Sequence, residues 1–169
     1  LDQKKSLFKT YYHSECGGQT SSAKKVFGDT DFDAEVKDPY CGRHHWKFAI
    51  AKNKLENHIG EFSAILNTFN PLKRAYELTI QRPDDSIQMV DAQKIRLSLG
   101  STLMKSTWFK LSQNGSNIEF QGKGFGHGVG LCQWGSRQMG ILKKSFREIL
   151  DFYYPKTIVK TVQTDRLYF

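Results

Sequence analysis

Two short spacings place thiol and imidazole groups where they can converge: His13-x-x-Cys16 and Cys41-x-x-His44-His45. A gap of two residues lets both side chains of a pair bend toward one point. Thiolate and imidazole together suit Zn²⁺ in tetrahedral coordination. His13, Cys16, Cys41 and His44 are therefore candidate metal ligands. Three of them would leave a position for water or substrate, and four would close the site. A Cys16–Cys41 disulfide, or two unlinked thiols, fits the same spacing. The third cysteine, Cys132, is expected to pack as a small hydrophobe.

Farther along, Gly124-Phe125-Gly126-His127-Gly128-Val129-Gly130 puts glycine at every second position. In a strand such a run has one face bare of side chains, so its backbone can come close to a ligand or a packed neighbour. The spacing fits neither a dinucleotide fingerprint nor a P-loop. His127, Gln133 and Trp134 follow within a few residues. An imidazole, an amide and an indole are groups that hold sugars, through hydrogen bonds to hydroxyls and a flat face for a pyranose ring. A tight strand-to-helix turn, with His127 as a satisfied polar residue, accounts for the spacing equally well.

The elements that must position these groups alternate irregularly. Leu7 to Tyr12 reads as a strand entering a polar loop, Ser14 to Ser22. Leu55 to Leu66 has apolar residues at helical spacing, interrupted by Gly60. Ala75 to Gln81 alternates as a strand, Pro83-Asp84-Asp85 turns, and Ser86 to Val90 returns. Asp91 is placed to cap a helix over 92–99 that Gly100 closes. Trp108 to Leu111 and Ile118 to Gln121 flank Gln113-Asn114-Gly115-Ser116, a hairpin signal. A helix over 131–141 and another from Ser145 to Tyr154 follow, the second opening on a capping box, Ser145 with Glu148. Pro39, Pro71, Pro83 and Pro155 mark turns. The fold class expected is α+β, one domain over 1–169, mostly antiparallel strands with a few short helices and two C-terminal helices.

The run from Gly124 to Gly140, with Gly-Phe-Gly-His-Gly-Val-Gly-Leu-Cys-Gln-Trp-Gly at its head, resembles the C-terminal signature of the SpoIID/LytB family. Phe125 stands where that family has Trp, and Cys132 where it often has Ser. Tyr12-His13-Ser14-Glu15-Cys16-Gly17-Gly18-Gln19-Thr20 resembles the family's upstream loop. Val26-Phe27-Gly28, the passages Ile95 to Gly100 and Lys105 to Phe109, and Ile149 to Pro155 are similar in order and separation.

The resemblance implies a module working on bacterial cell-wall glycan outside the cytoplasm. One member activity is a peptidoglycan lytic transglycosylase, which cleaves the MurNAc–GlcNAc bond and leaves a 1,6-anhydro end. The other is a non-catalytic amidase enhancer that binds the wall. It further implies that Tyr12, Ser14, Gly17, Gly18, Gly126, Gly128 and Trp134 line a glycan cleft, that His127 and Gln133 serve the reacting bond, and that zinc sits at the His/Cys loop. The transglycosylase reaction needs a carboxyl kept protonated and then able to act as base. The family's glutamate lies in a Glu-Met-Pro-like motif that has no match here. The acid is therefore expected upstream of this segment, with Glu15 and Glu61 outside the pattern.

Bulk properties agree with such a role. The net charge is +8, which suits a polyanion (nucleic acid, anionic lipid, or wall polymer with its peptide carboxylates) and equally suits ordinary solubility. Yet the positive residues are scattered (Lys4-Lys5, Lys24-Lys25, Lys73-Arg74, Lys143-Lys144), so a nucleic-acid arm is not expected. No stretch nears the roughly 18 apolar residues that span a membrane. Leu1 to Lys5 has no apolar run behind it, and no initiator Met opens the chain, so the sequence is expected to be a piece of a longer exported protein. Partners expected are peptidoglycan glycan strands and a cell-wall amidase.

Overall fold

The structure, a computed structural model, describes residues 7–28, 30–42, 44–66 and 74–160. Its central sheet is antiparallel, in the order β2 (His45–Ala51), β7 (Asn117–Lys123), β6 (Phe109–Asn114). The hairpin joining β6 to β7 turns at Gly115, whose φ of +60° is one that a side chain disfavours. β2 was not expected from the sequence, although Trp46, Phe48 and Ile50 alternate as a half-buried strand should. A second antiparallel sheet has the order β3 (Ala64–Ile65), β4 (Glu77–Gln81), β5 (Ile87–Asp91).

Short helices cover these sheets. The helix expected over Leu55 to Leu66 is instead α2, Lys52–Ile59. Gly60, at φ +79°, closes it with a backbone N–H to the Glu56 carbonyl, a left-handed end that glycine favours. The chain beyond it turns Phe62 into the core and then pairs as β3. Asp91 does cap α3 (Ala92–Leu99), accepting from the Lys94 N–H at 2.7 Å, and Gly100 ends it. α1 (Ala23–Phe27), capped by Ser22, is a further helix beyond the sequence expectation.

The two C-terminal helices are α4 (Gln133–Ile141) and α5 (Phe146–Tyr153). The Glu148 N–H donates to Ser145 Oγ while the Ser145 N–H donates to Glu148 Oε2, the expected capping box. Only Tyr12 of the expected strand from Leu7 is extended into a ladder. β1 (Tyr12–His13) pairs in parallel with β8 (Leu131–Cys132), and so short a partner limits the pairing. Pro39, Pro83 and Pro155 stand in turns. Pro71, Lys4, Lys5 and Lys73 lie outside the described residues.

The architecture is α+β, mostly antiparallel, as expected. Its apolar interior has two parts. The larger lies between the two sheets and α2 and α3, built on Leu55, Leu78, Ile80, Ile95 and Phe120. The smaller joins Cys16, Cys41 and Cys132 to Met139, Tyr153 and Tyr154, where β1, β8, α4 and α5 meet.

Candidate functional site

The glycine-rich run lies across the loop that follows β1. Glu15 and Phe125 exchange both backbone hydrogen bonds at 2.8 Å, and the Ser21 N–H donates to the Gly128 carbonyl at 2.7 Å. The run is not a plain strand, because its four glycines all have positive φ. Gly126 has φ +109°, and a Cβ there would sit 2.9 Å from that of His13. At Gly130 a Cβ would strike the Tyr11 carbonyl. Of the two partners that a bare backbone can approach, this one meets a packed neighbour. Gly128 is backed by the Arg74 guanidinium, and Gly17 and Gly18 turn toward Cys16.

His127 is half-buried within this packing, its ring against Phe27 (5.1 Å) and His13 (5.6 Å). The Val129 N–H donates to its Nδ1 at 3.0 Å. That assigns the proton of the neutral ring to Nε2, and the ring also hydrogen-bonds the Tyr12 backbone. Burial, then the charge of Arg96, lowers its pKa to about 4. His127 is thus a neutral ring held to the backbone through Nδ1.

The exposed groups lie at the adjoining edge. The register of β1 with β8, and the Trp134 N–H donated to the Ser14 carbonyl at 3.1 Å, bring Tyr12, Ser14, Gln133 and Trp134 together. Tyr12 is 66% exposed and Trp134 51%, large aromatic surfaces that the core does not claim. Arg137 reaches over the Trp134 ring, 5.6 Å from its centroid.

The thiols converge more tightly than their spacing implied. Cys16, Asp38, Cys41 and Cys132 are all buried, with one donor atom from each within 4.8 Å of the others. Cys132 Sγ stands 3.5 Å from Cys41 Sγ, and Cys16 Sγ 3.3 Å from Asp38 Oδ2. Backbone N–H groups point at the sulfurs: Cys16 and Gly135 donate to Cys132, and Gly18 to Cys16, at 3.3 to 3.4 Å. Such donors favour thiolate over thiol. Hydrogen bonds from Cys132 and then Cys16 pull the Cys41 thiol well down, while the same sharing with Cys132 pushes Cys16 up.

Asp38 is oriented on every side. Its Oδ1 accepts from the Tyr40 and Cys41 N–H groups, and its Oδ2 accepts from the Tyr153 hydroxyl at 2.7 Å. Gly135 must lack a side chain because Asp38 and Tyr153 occupy that space. Three sulfurs and one carboxylate, held by outer hydrogen bonds, are a donor set that fits Zn²⁺.

The expected ligand set is corrected in part. Cys16 and Cys41 meet, but His13 and His44 stay out of this cluster. The His13 ring donates from Nδ1 to the Val129 carbonyl at 3.0 Å, and its buried Nε2 has no partner among the described residues. Burial, then the Arg74 charge, lowers the His13 pKa to about 3. His44 is exposed, its Nε2 3.1 Å from Lys105 Nζ and its N–H donating to Glu15 Oε1 at 2.5 Å. Asp38 and Cys132 take their places. Asp38-x-x-Cys41 has the same two-residue gap as the pairs singled out above, so one of these signals was present. Cys132 is not packed merely as a hydrophobe, and all three cysteines are free thiols.

No family model matches the chain. Among curated proteins, an uncharacterised protein of Brachyspira hyodysenteriae is 35% identical over 162 residues, covering 89% of this chain and 43% of that protein. The amidase enhancer of Bacillus subtilis is 37% identical over 68 residues, 40% of this chain and 10% of that protein. Stage II sporulation protein D of Bacillus amyloliquefaciens is 42% identical over 60 residues, 36% of this chain and 17% of that protein. The chain spans less than half the length of each of these relatives.

Proposed function

Since the chain carries a SpoIID/LytB-like domain, we propose that it is a wall-binding module of the amidase-enhancer kind, which holds peptidoglycan glycan strands outside the cytoplasm and presents them to a cell-wall amidase. The observation that carries this reading is the exposed edge of Tyr12, Ser14, Gln133 and Trp134, beside a His127 held through Nδ1 by the Val129 N–H. Aromatic faces with a neighbouring amide and hydroxyl bind a sugar ring; a histidine locked to backbone positions that edge rather than moving protons. The basic net charge adds attraction to a carboxylate-bearing polymer. Among the described residues no helix is long and apolar enough to cross a membrane.

The test is co-sedimentation with purified peptidoglycan. Trp134→Ala should lower the bound fraction at least several-fold while the circular dichroism spectrum stays unchanged. Unaltered binding by this variant would remove the edge from the glycan site.

A second reading is the lytic transglycosylase activity that the resemblance of the Gly124 to Gly140 run implies. It needs a carboxyl near the glycosidic oxygen. Glu15, whose backbone pairs with Phe125 of the glycine run, is raised by burial, but it is 4% exposed and accepts from the His44 N–H. Gln133 and His127 would then orient the glycan for an acid from elsewhere in the protein. Release of 1,6-anhydro sugars from glycan strands separates this reading from the first.

For the thiol cluster, Cys16, Asp38, Cys41 and Cys132 would hold one Zn²⁺ with four protein ligands. That closes the ion to substrate and makes it a staple between the loop after β1 and the start of α4. Elemental analysis should give one equivalent in the native chain and none in Cys41→Ser.

A further inference from the structure

The turn from α4 into α5 leaves an apolar surface uncovered among the described residues. Residues 140–148 are all exposed, so this corner stands out from the body of the molecule. Ile141 is 57% exposed, Leu142 53% and Phe146 62%. Large apolar side chains gathered in so short a stretch keep unfavourable contact with water, and such a cluster marks a docking surface. Cations are interleaved with them: Lys143, Lys144 and Arg147. The carboxylate among them, Glu148, is already neutralised by Lys144 at 2.8 Å and accepts from the Ser145 N–H and hydroxyl at 2.8 and 2.9 Å. The Arg147 guanidinium lies 5.4 Å from the centroid of the Phe146 ring, so positive charge and apolar ring stand side by side. Lys143 has φ +61°, a left-handed conformation that glycine adopts at least cost, yet a cation occupies it.

The corner also pairs its own backbone. The N–H groups of Leu142, Lys143 and Lys144 donate to the carbonyls of Gln138, Gly140 and Met139 at 3.1, 2.9 and 3.0 Å, and that of Ser145 to Glu148 Oε2. Four successive N–H groups therefore need no water, which is a condition for entering the apolar boundary of a bilayer. A second copy of the chain would bring like charges together here, and a protein groove would have to bury lysine and arginine with the apolar groups. A bilayer with anionic headgroups accommodates both. Ile141, Leu142 and Phe146 enter the interface, while the lysines and arginine reach back along their apolar stems to the phosphates.

We propose that the α4–α5 corner is a docking tip that seats the chain on an anionic lipid surface. The docking does not rest on the wall-binding reading, but it gives that reading a location. Trp134, Arg137 and Ile141 stand at i, i+3 and i+7 of α4, so one exposed helix face runs from the aromatic edge to this corner. The helical rise between its ends is about 10 Å. A docked chain therefore holds glycan that lies next to the bilayer.

Co-sedimentation with sucrose-loaded vesicles, in the absence of peptidoglycan, tests the tip. The chain should partition at least ten-fold more strongly into equimolar phosphatidylglycerol and phosphatidylcholine than into phosphatidylcholine alone. Leu142→Ser combined with Phe146→Ser, both exposed changes, should lower partition into the anionic vesicles at least ten-fold while the circular dichroism spectrum and thermal midpoint stay unchanged. Lys143→Glu combined with Arg147→Glu should lower it by as much. Lys54→Glu combined with Lys110→Glu, the same change of charge at exposed positions away from the corner, should lower it less than about three-fold. Partition unmoved by the Leu142 and Phe146 changes, or equal losses from the two charge pairs, would mean that net charge alone draws the chain to lipid, and would overturn the tip. Absence of partition into either vesicle would overturn it too, leaving the corner to a protein partner. A lipid-free dimer dissociated by Leu142→Ser with Phe146→Ser would assign the corner to a second copy instead. Each of these failures leaves the wall-binding reading standing, because sedimentation with peptidoglycan tests that separately.

Discussion

The two apolar regions are built on different physics. The larger holds hydrocarbon: Phe120, fully buried, stacks on Phe48 at 4.8 Å and packs against Phe109 at 5.3 Å, with Leu55, Leu78, Ile80 and Ile95 around it. Its energy is area removed from water, and its tolerance is that of any well-packed core. The smaller holds three thiols, a carboxylate and a tyrosine hydroxyl at similar burial. There the same exclusion of water is a cost that directed bonds must offset. One region is insensitive to pH and chelators, and the other should answer to both.

Metal exchange separates the regions most sharply. Stripping zinc from the loaded chain should cost on the order of 5 kcal/mol in urea denaturation, below the roughly 10–16 of small zinc peptides because Tyr153 and Tyr154 still pack. An identical midpoint with and without chelator would make the second region an ordinary core. Next, Phe120→Ala should cost about 4 kcal/mol through the cavity it leaves, with metal content unaltered. Loss of metal in that variant would show that the two regions unfold as one.

Acid should act on the second region through His13. Its native pKa is about 3 against the ordinary 6.5, so between those values the unfolded chain binds a proton that the native chain refuses. Stability therefore falls as pH drops from 6.5 toward 3, by on the order of 3 kcal/mol after discounting relaxation about the ring. Glu15, raised by burial, works in the opposite sense around its own titration. His13→Gln should flatten the decline, and an unchanged pH profile would assign it to other groups. The smallest effect is Tyr153→Phe. It removes the hydroxyl donated to Asp38, costing about 1.5 kcal/mol, while loosening the carboxylate that the thiols share.

The division also governs what was legible in the sequence. The hydrocarbon region announces itself locally: alternation over Glu77–Gln81, the Asp91 cap and the turn at Gly115 are short-range signals, and the structure follows them. The helix expected through Leu66 failed at one residue, where left-handed Gly60 ends it and frees Phe62 for the core. β2 was missed with its alternation in plain view, because the His and Cys residues before it drew a metal-site reading. In the second region the spacing found Cys16 and Cys41, and the same two-residue gap before Cys41 also marks Asp38. No local pattern could choose Cys132, which arrives from 116 residues away through the β1–β8 pairing. Likewise the glycine spacing left open a ligand or a packed neighbour, and it is the chain's own Tyr11, His13 and Arg74 that come up against them.

The parallel pairing of β1 with β8 has a consequence for the order of events in folding. Tyr11, at one end of the described chain, accepts a hydrogen bond from the Tyr154 hydroxyl near the other. The thiol cluster thus closes a loop of more than a hundred residues, and such a contact is entropically late. The sheet hairpins can assemble while the chain is still being delivered. The three sulfurs can meet only when Cys132 has arrived, so every chain passes through a stage in which its cysteines are separate and open to capture. A protein with this topology needs protection from oxidants during that interval and not only afterwards.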